Sequence, residues 1–348
     1  MSTRRPLHPS ARVEDRINAV VARWLRRRGW VSRVEPYPGY GGPGWVRVMA
    51  RALLAAPGTA VPEAVERDAA SAQRAVRGWR SFLTAPVPRA TIEVRIGTTT
   101  HRVVTDRGGY VDVVLPGDLA PGWGEVSVRV GGEWVSAPVL VIPPGPGVAM
   151  VSDIDDTVMV TALPRLLLVA WNALVLHENA RRVVPGMVGL YRRWQAAHPG
   201  APTFYLSTGA WNVAPAVRRF LGRHGYPQGP LLLTDWGPTN TRWFRSGREH
   251  KLGNLRRLMT EFPDLRWVLV GDDGQHDPQI YTEIAQEFGD RVLAIAVREL
   301  SPAEQLLAHG TPVPTKHGEI PDRAAAPVVV HGADGNALAL SFIDRGLI

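Results

Sequence analysis

The chain has 348 residues, 45% hydrophobic and 21% charged, which is enough for two cores and excludes a disordered or fibrous protein. It contains no cysteine, so disulfides, thiolate metal sites and cysteine catalysis are excluded as well. The formal net charge of +8 favours anionic partners, but no zinc finger, aromatic RNA-binding motif or helix-turn-helix is visible, and no nucleic-acid partner is expected.

Residues 1–33 read as a basic amphipathic helix. Val13, Ile17, Val20, Val21, Trp24 and Leu25 fall on one face, with Arg12, Arg16, Arg23, Arg26 and Arg27 around it. Eight arginines against Glu14 and Asp15 put +6 of the net charge into residues 1–30. Such a helix can lie on an anionic membrane or pack on a neighbouring domain with its arginines solvated. No apolar segment of signal-peptide type follows Met1, and no stretch approaches the ~20 apolar residues that span a bilayer. The expected location is cytoplasmic, with peripheral contact at the inner face of the membrane.

Residues 34–142 carry short runs with period-two alternation. Ile92, Val94 and Ile96 alternate with Glu93 and Arg95, and Val126, Val128 and Val130 alternate with Ser127 and Arg129. Trp45–Val48, Tyr110–Val113 and Val139–Ile142 add further strands, and Gly108-Gly109, Pro116-Gly117 and Gly131-Gly132 supply turns. The pattern predicts a small all-β sandwich-like domain, with a helix or exposed excursion at Val61–Val76. Pro143-Pro144-Gly145-Pro146-Gly147, residues 143–147, is a stiff linker.

The chemistry lies in 148–300. The apolar run Val148–Val151 leads directly into Asp153-Ile154-Asp155-Asp156-Thr157, placing two carboxylates one residue apart at a strand tip. Like charges that close raise one another's pKa. A divalent cation would relieve the conflict, leaving one carboxylate free to act as nucleophile and the other to move protons. Leu163–Leu176 is strongly apolar and predicts a lid or a buried helix. Thr203–Leu206 is a second apolar strand that ends in Ser207-Thr208-Gly209. Glu249-His250-Lys251 opens a helix on which Leu252, Leu255, Leu258 and Met259 recur at helical spacing. Trp267–Val270 runs into Gly271-Asp272-Asp273-Gly274-Gln275-His276-Asp277. In an open parallel sheet, ligands bind beyond the carboxyl ends of the strands, so these groups can converge. Of 40 basic residues only Lys251 and Lys316 are lysines, and Lys251 falls where a compact ammonium suits a carboxylate and a phosphoryl oxygen. His250 and His276 read as positioning their neighbours. Trp211, Trp236, Trp243 and Phe244 read as core or as an apolar rim for an acyl chain. Val292–Val297 is a further buried strand. Residues 301–348 form a C-terminal extension, irregular over 301–325, with a helix at Ala337–Ile343.

Order and strand-end placement of these motifs resemble the haloacid dehalogenase superfamily. More narrowly, Ser152–Thr157, Phe204–Ser207, Asp235-Trp236-Gly237, His250-Lys251 and Gly271–Tyr281 resemble the actin-patch-protein type of phosphatidate phosphatase, a lipin-related family with bacterial members. Two departures are visible: Thr208-Gly209-Ala210-Trp211 stands where the family has Ser/Asn-Ser-Pro-Trp, and Asp273 where it often has Ser. The resemblance implies an α/β Rossmann-like three-layer phosphatase domain with a parallel sheet. It also implies an Mg²⁺-dependent phosphatase converting phosphatidate to diacylglycerol through an aspartyl-phosphate. Asp153 would be the nucleophile, Asp155 the acid and base, and Thr157 would close the turn. Ser207, Thr208, Gly209 and Lys251 would bind the phosphoryl group; the Asp153 carboxylate, the Asp155 backbone carbonyl and Asp272 would hold the metal, and Asp273 and Asp277 would act around it or orient Lys251. A phosphatase of a soluble ester or phosphoprotein, and a non-catalytic lipid-binding protein, are the alternatives.

Overall fold

The computed structural model describes residues 19–56, 85–160, 182–234, 247–274, 276–309 and 326–348. They fall into two compact units that divide between Pro143 and Pro144. The expected elements at Val61–Val76 and Leu163–Leu176, the Asp235-Trp236-Gly237 motif, and Trp243, Phe244 and Gln275 lie outside the described residues.

In the first unit the described part of the expected N-terminal helix is α1 (residues 19–27), its earlier residues lying outside the described ones. Eight strands follow: β1 (Val31–Gly42), β2 (Trp45–Ala55), β3 (Ala85–Pro86), β4 (Thr91–Ile96), β5 (Thr99–Val104), β6 (Tyr110–Pro116), β7 (Gly122–Arg129) and β8 (Val135–Val141). The expected sandwich is corrected to one continuous, curled, mixed sheet in the order β3-β2-β1-β8-β7-β4-β5, with β6 also paired to β2. β1 makes it continuous: it pairs antiparallel with β2 along most of its length and parallel with β8 at Gly39–Gly41. A register shift between Tyr37 and Tyr40 redirects it. The chains approach so closely there that a Cβ on Gly39 would lie 2.3 Å from the Arg47 carbonyl oxygen. The alternating residues of β2, β4, β7 and β8 form a single core with Ala22 and Leu25 of α1.

The second unit holds six parallel strands: β9 (Gly147–Asp153), β12 (Thr203–Ala210), β13 (Leu231–Thr234), β14 (Leu265–Asp272), β15 (Val292–Arg298) and β16 (Val328–Gly332). Their spatial order is β13-β12-β9-β14-β15-β16. The strands are near-continuous apolar runs, as both faces of a covered parallel sheet require. Two short strands, β10 (Met159–Val160) and β11 (Arg182–Val183), pair antiparallel outside the sheet. The helices are α2 (Met187–Ala197), α3 (Ala214–His224), α4 (Gly247–Glu261), α5 (Asp277–Phe288), α6 (Pro302–His309) and α7 (Gly335–Asp344). α7 packs on α2 and β16, while α4 packs on β12 and on α5. α6 corrects the irregular segment expected over 301–325 for its first residues, 302–309; residues 310–325 lie outside the described ones. Ser301 and Glu304 cap each other, the Glu304 carboxylate accepting from Ser301 N at 2.9 Å, and Pro302 occupies the first helical position. Among the described residues no helix is long and apolar enough to cross a membrane.

Candidate active site

Parallel registry brings the motif residues to one edge of the second sheet. Asp153 pairs with Leu206, the residue before Ser207; Ser152 pairs with Val270; and Asp272 pairs with Arg298. Asp153 and Asp272 are therefore the last residues of adjacent central strands, and Asp277 is the first residue of the helix that follows β14. The three carboxylates are fully buried and offer oxygens within 4.8 Å of one another. Lys251, from the second turn of α4, reaches into them. Its Nζ lies 2.6 Å from Asp153 Oδ1 and donates to Asp277 Oδ1 at 2.5 Å. Gly271 makes this packing possible, because a Cβ there would stand 2.5 Å from Asp277 Oδ2 and 2.8 Å from the Tyr281 ring.

Three buried carboxylates against one ammonium leave negative charge without compensation, and uncompensated buried ions cost several kcal/mol each. Asp153 Oδ2, Asp272 Oδ2 and Asp277 Oδ2 accept no hydrogen bond. Burial pushes the Asp153 carboxyl well above the usual range; Lys251 opposes that shift, while Asp277 and Asp155 add to it. Asp272 is raised by burial and then by Asp277 and Asp153. Burial alone would lower the Lys251 pKa, but the three aspartates outweigh it and raise it. Orphaned oxygens of hard, anionic type fit a divalent cation, so the buried triad Asp153, Asp272 and Asp277 can hold one.

Asp155 is partly exposed and belongs to a different contact: Ser207 Oγ donates to its Oδ2 at 2.7 Å and accepts from Gly209 N at 2.9 Å. The carbonyls of Thr208 and Gly209 both accept from Thr234 Oγ1 at the end of β13. The turn after Asp155 is closed by backbone, with Val158 N donating to Ile154 O and Asp156 N to Met159 O. Asp156 adopts φ 58° in it. Thr157, expected to close this turn, instead buries a hydroxyl without a hydrogen-bond partner.

Asp273 stands apart from the triad. Its Oδ1 accepts from Leu300 N at 2.8 Å and its Oδ2 from Gln305 Nε2 at 3.3 Å, tying the end of β14 to the segment that carries α6. His250 is buried beside Asn254, and His276 is exposed at the start of α5. Trp211 is buried. One residue escaped the sequence reading. Buried Arg298, the last residue of β15, donates to Asp156 O at 2.6 Å, to Glu304 Oε1 at 2.6 Å and to Ala333 O at 3.3 Å. It pins the left-handed turn that follows the acid pair. Its signal was an arginine ending the apolar run Val292–Val297 at the edge where the other strands end in polar groups.

Residues 148–299 match the family model described as "Phosphatidate phosphatase APP1, catalytic domain". The phosphatidate phosphatase APP1 of Saccharomyces cerevisiae is 26% identical over 155 residues, covering 44% of this chain and 26% of that protein. An uncharacterized protein of Schizosaccharomyces pombe is 24% identical over 155 residues, 44% of this chain and 25% of that one. The chain thus spans about a quarter of the length of the curated relatives it matches. Among solved structures, a carbohydrate acetylesterase from Xanthomonas citri aligns at 13% identity over 90% of this chain and 76% of that one, with a TM-score of 0.27, too low to carry an argument. The segment that builds the site, residues 148–299, is thus the part of this chain that is similar to the APP1 catalytic domain.

Proposed function

We propose that this protein is an Mg²⁺-dependent phosphatase that hydrolyses a phosphate monoester, phosphatidate above all, through an aspartyl-phosphate. The observation that carries the reading is the bridge from Lys251 to Asp153 and Asp277 beside Asp272, one turn of chain from the Asp155–Ser207 pair. Strand order supports it too. Counted from β9, the sheet runs 3-2-1-4-5-6, the doubly wound Rossmann order, with its switch point between the first and fourth strands. The connections from β9 through α2 to β12 and from β14 through α5 to β15 run in opposite directions along the sheet, and crossovers of the usual right hand would put α2 and α5 on opposite faces, the three-layer arrangement that this reading expects. Asp153 and Asp272 end the two strands at that switch point.

Lys251 holds the Asp153 carboxylate in place and, with the Ser207 hydroxyl, meets the oxygens of the transferring phosphoryl group. A carboxylate oxygen of Asp153 attacks phosphorus while the ester P–O bond breaks, and Asp155 gives its proton to the leaving alcohol. Asp155 then takes a proton from water, which attacks the same phosphorus; the bond to Asp153 breaks and inorganic phosphate leaves. Mg²⁺ bound by Asp153, Asp272 and Asp277 would neutralise phosphoryl charge and allow the anionic nucleophile to approach an anionic substrate. Asp273 serves as a brace in this reading.

The test is phosphate release from phosphatidate in detergent micelles and from soluble sugar, nucleotide and aryl phosphates, with Mg²⁺ and with chelator. Release from phosphatidate only with Mg²⁺ is expected. Preference for a soluble ester would move the substrate to that class, and no release from any ester would end the phosphatase reading.

A further inference from the structure

The apolar residues of α1 divide between two opposite faces, which the single stripe read from the sequence did not show. At about 100° per residue, Ala22 and Leu25 share one side and are buried in the core of the first unit. Val20 and Trp24 lie roughly opposite and are 64% and 50% exposed, while Val21, 40% exposed, sits at the border beside Leu25. Turning Val20 and Trp24 inward would pull Ala22 and Leu25 out, so the helix cannot satisfy both faces against its own sheet. Residues 19–30 also hold four exposed arginines, Arg23, Arg26, Arg27 and Arg28, and no acidic residue. The Arg28 guanidinium carbon sits 3.7 Å from the centroid of a Trp24 ring, a cation–π contact that keeps the indole on the solvent side.

An outward face that is aliphatic, aromatic and cationic suits a medium that is anionic at its surface and apolar a few ångström below. Lipid headgroups over acyl chains have that profile. A nucleic acid would match the arginines but offer Val20 and Val21 nothing to bury against. We infer that the outer face of α1 docks this protein on an anionic lipid surface, with Val20, Val21 and Trp24 entering the interface and the arginines meeting headgroup phosphates. This deepens the lipid-phosphatase reading, on which it rests for its purpose, by naming the surface that brings the chain to its substrate.

The experiment is flotation of the full chain with phosphatidylcholine vesicles containing phosphatidylserine and with vesicles of phosphatidylcholine alone. Wild type should bind the anionic vesicles and lose them as salt rises, because screening weakens the attraction. Roughly fivefold in partitioning for each basic residue at such a surface gives about a 100-fold loss for the triple variant Arg23→Gln, Arg26→Gln, Arg27→Gln. The variant Val20→Ser, Val21→Ser, Trp24→Ser should also lose binding while keeping the wild-type salt slope. All six side chains are exposed, so thermal unfolding of both variants should match wild type. Anionic-vesicle binding that neither variant weakens would overturn the inference, and so would tighter binding to a DNA duplex that survives the Val/Trp changes. Phosphatidate hydrolysis in neutral detergent micelles separates the two readings. Micelle activity without α1-dependent vesicle binding sinks the docking surface alone, whereas α1-dependent binding without micelle activity sinks the phosphatase alone.

Discussion

Replacing Lys251 with methionine keeps the length of the side chain and removes its charge from between Asp153 and Asp277. Both ion pairs are 2% exposed or less, so solvent does not screen them. Breaking a buried pair by removing one partner typically costs ~3–5 kcal/mol, and that is the loss expected for metal-free protein at pH 8 by urea unfolding. The sign with pH follows from Asp153 and Asp272, whose folded pKa values are raised by burial. A carboxyl raised in the folded state stabilises that state below its unfolded value of about 3.9, and the contribution is lost as pH rises through the folded value. Without the ammonium, Asp153 holds its proton still more readily, so the variant's deficit should be smaller at pH 5 than at pH 8. Mg²⁺ should restore part of the stability at pH 8, since a ligand bound only by the folded state stabilises it, while phosphate release stays lost. A deficit below about 1 kcal/mol at pH 8, or one that does not change with pH, would refute the view that Lys251 balances buried ionised carboxylates.

Asp153→Asn should abolish phosphate release and form no phosphoenzyme, whereas Asp155→Asn should accumulate one when quenched with labelled substrate; a phosphoenzyme in Asp153→Asn would overturn the assignment. Gly271→Ala drives a Cβ against Asp277 and Tyr281, and a displacement of that order should lower kcat about 100-fold, measured at saturating substrate; activity near wild type would show that Asp277 need not sit where it does. Asp273→Ala strands the Leu300 amide and the Gln305 side chain, so it should cost ~1–3 kcal/mol of stability with little change in Mg²⁺ affinity by calorimetric titration. Asp272→Ala should abolish measurable Mg²⁺ binding, and the reverse pattern would return Asp273 to the metal.

The acid pair, the hydroxyl, the lysine and the last acidic cluster were legible in the sequence, though Arg298 was not, because the apolar runs that become β9, β12 and β14 end where the polar motifs begin and a buried strand cannot continue into charge. The same local logic located the alternating strands β2, β4, β6, β7 and β8. It did not find β1, whose Pro36, Pro38, Gly39 and Gly41 read as breakers and become tolerable only where the strand shifts register between two partners. The last motif points to Asp272 for the metal but does not separate Asp273 from Asp277. Only the packed structure distinguishes them, turning Asp273 toward Leu300 and Gln305 and setting Asp277 on Lys251 within the acidic triad. Nor could periodicity tell which side of α1 meets the core, since Val20, Val21, Trp24 and Leu25 satisfy the same helical spacing. The sequence by itself determined strand ends, motif order and the charge of α1, all properties of neighbouring residues along the chain. Convergence of the carboxylates, the Arg298 clamp on Asp156 and the outward face of α1 were decided by tertiary structure, because each depends on which distant segment occupies the adjacent space.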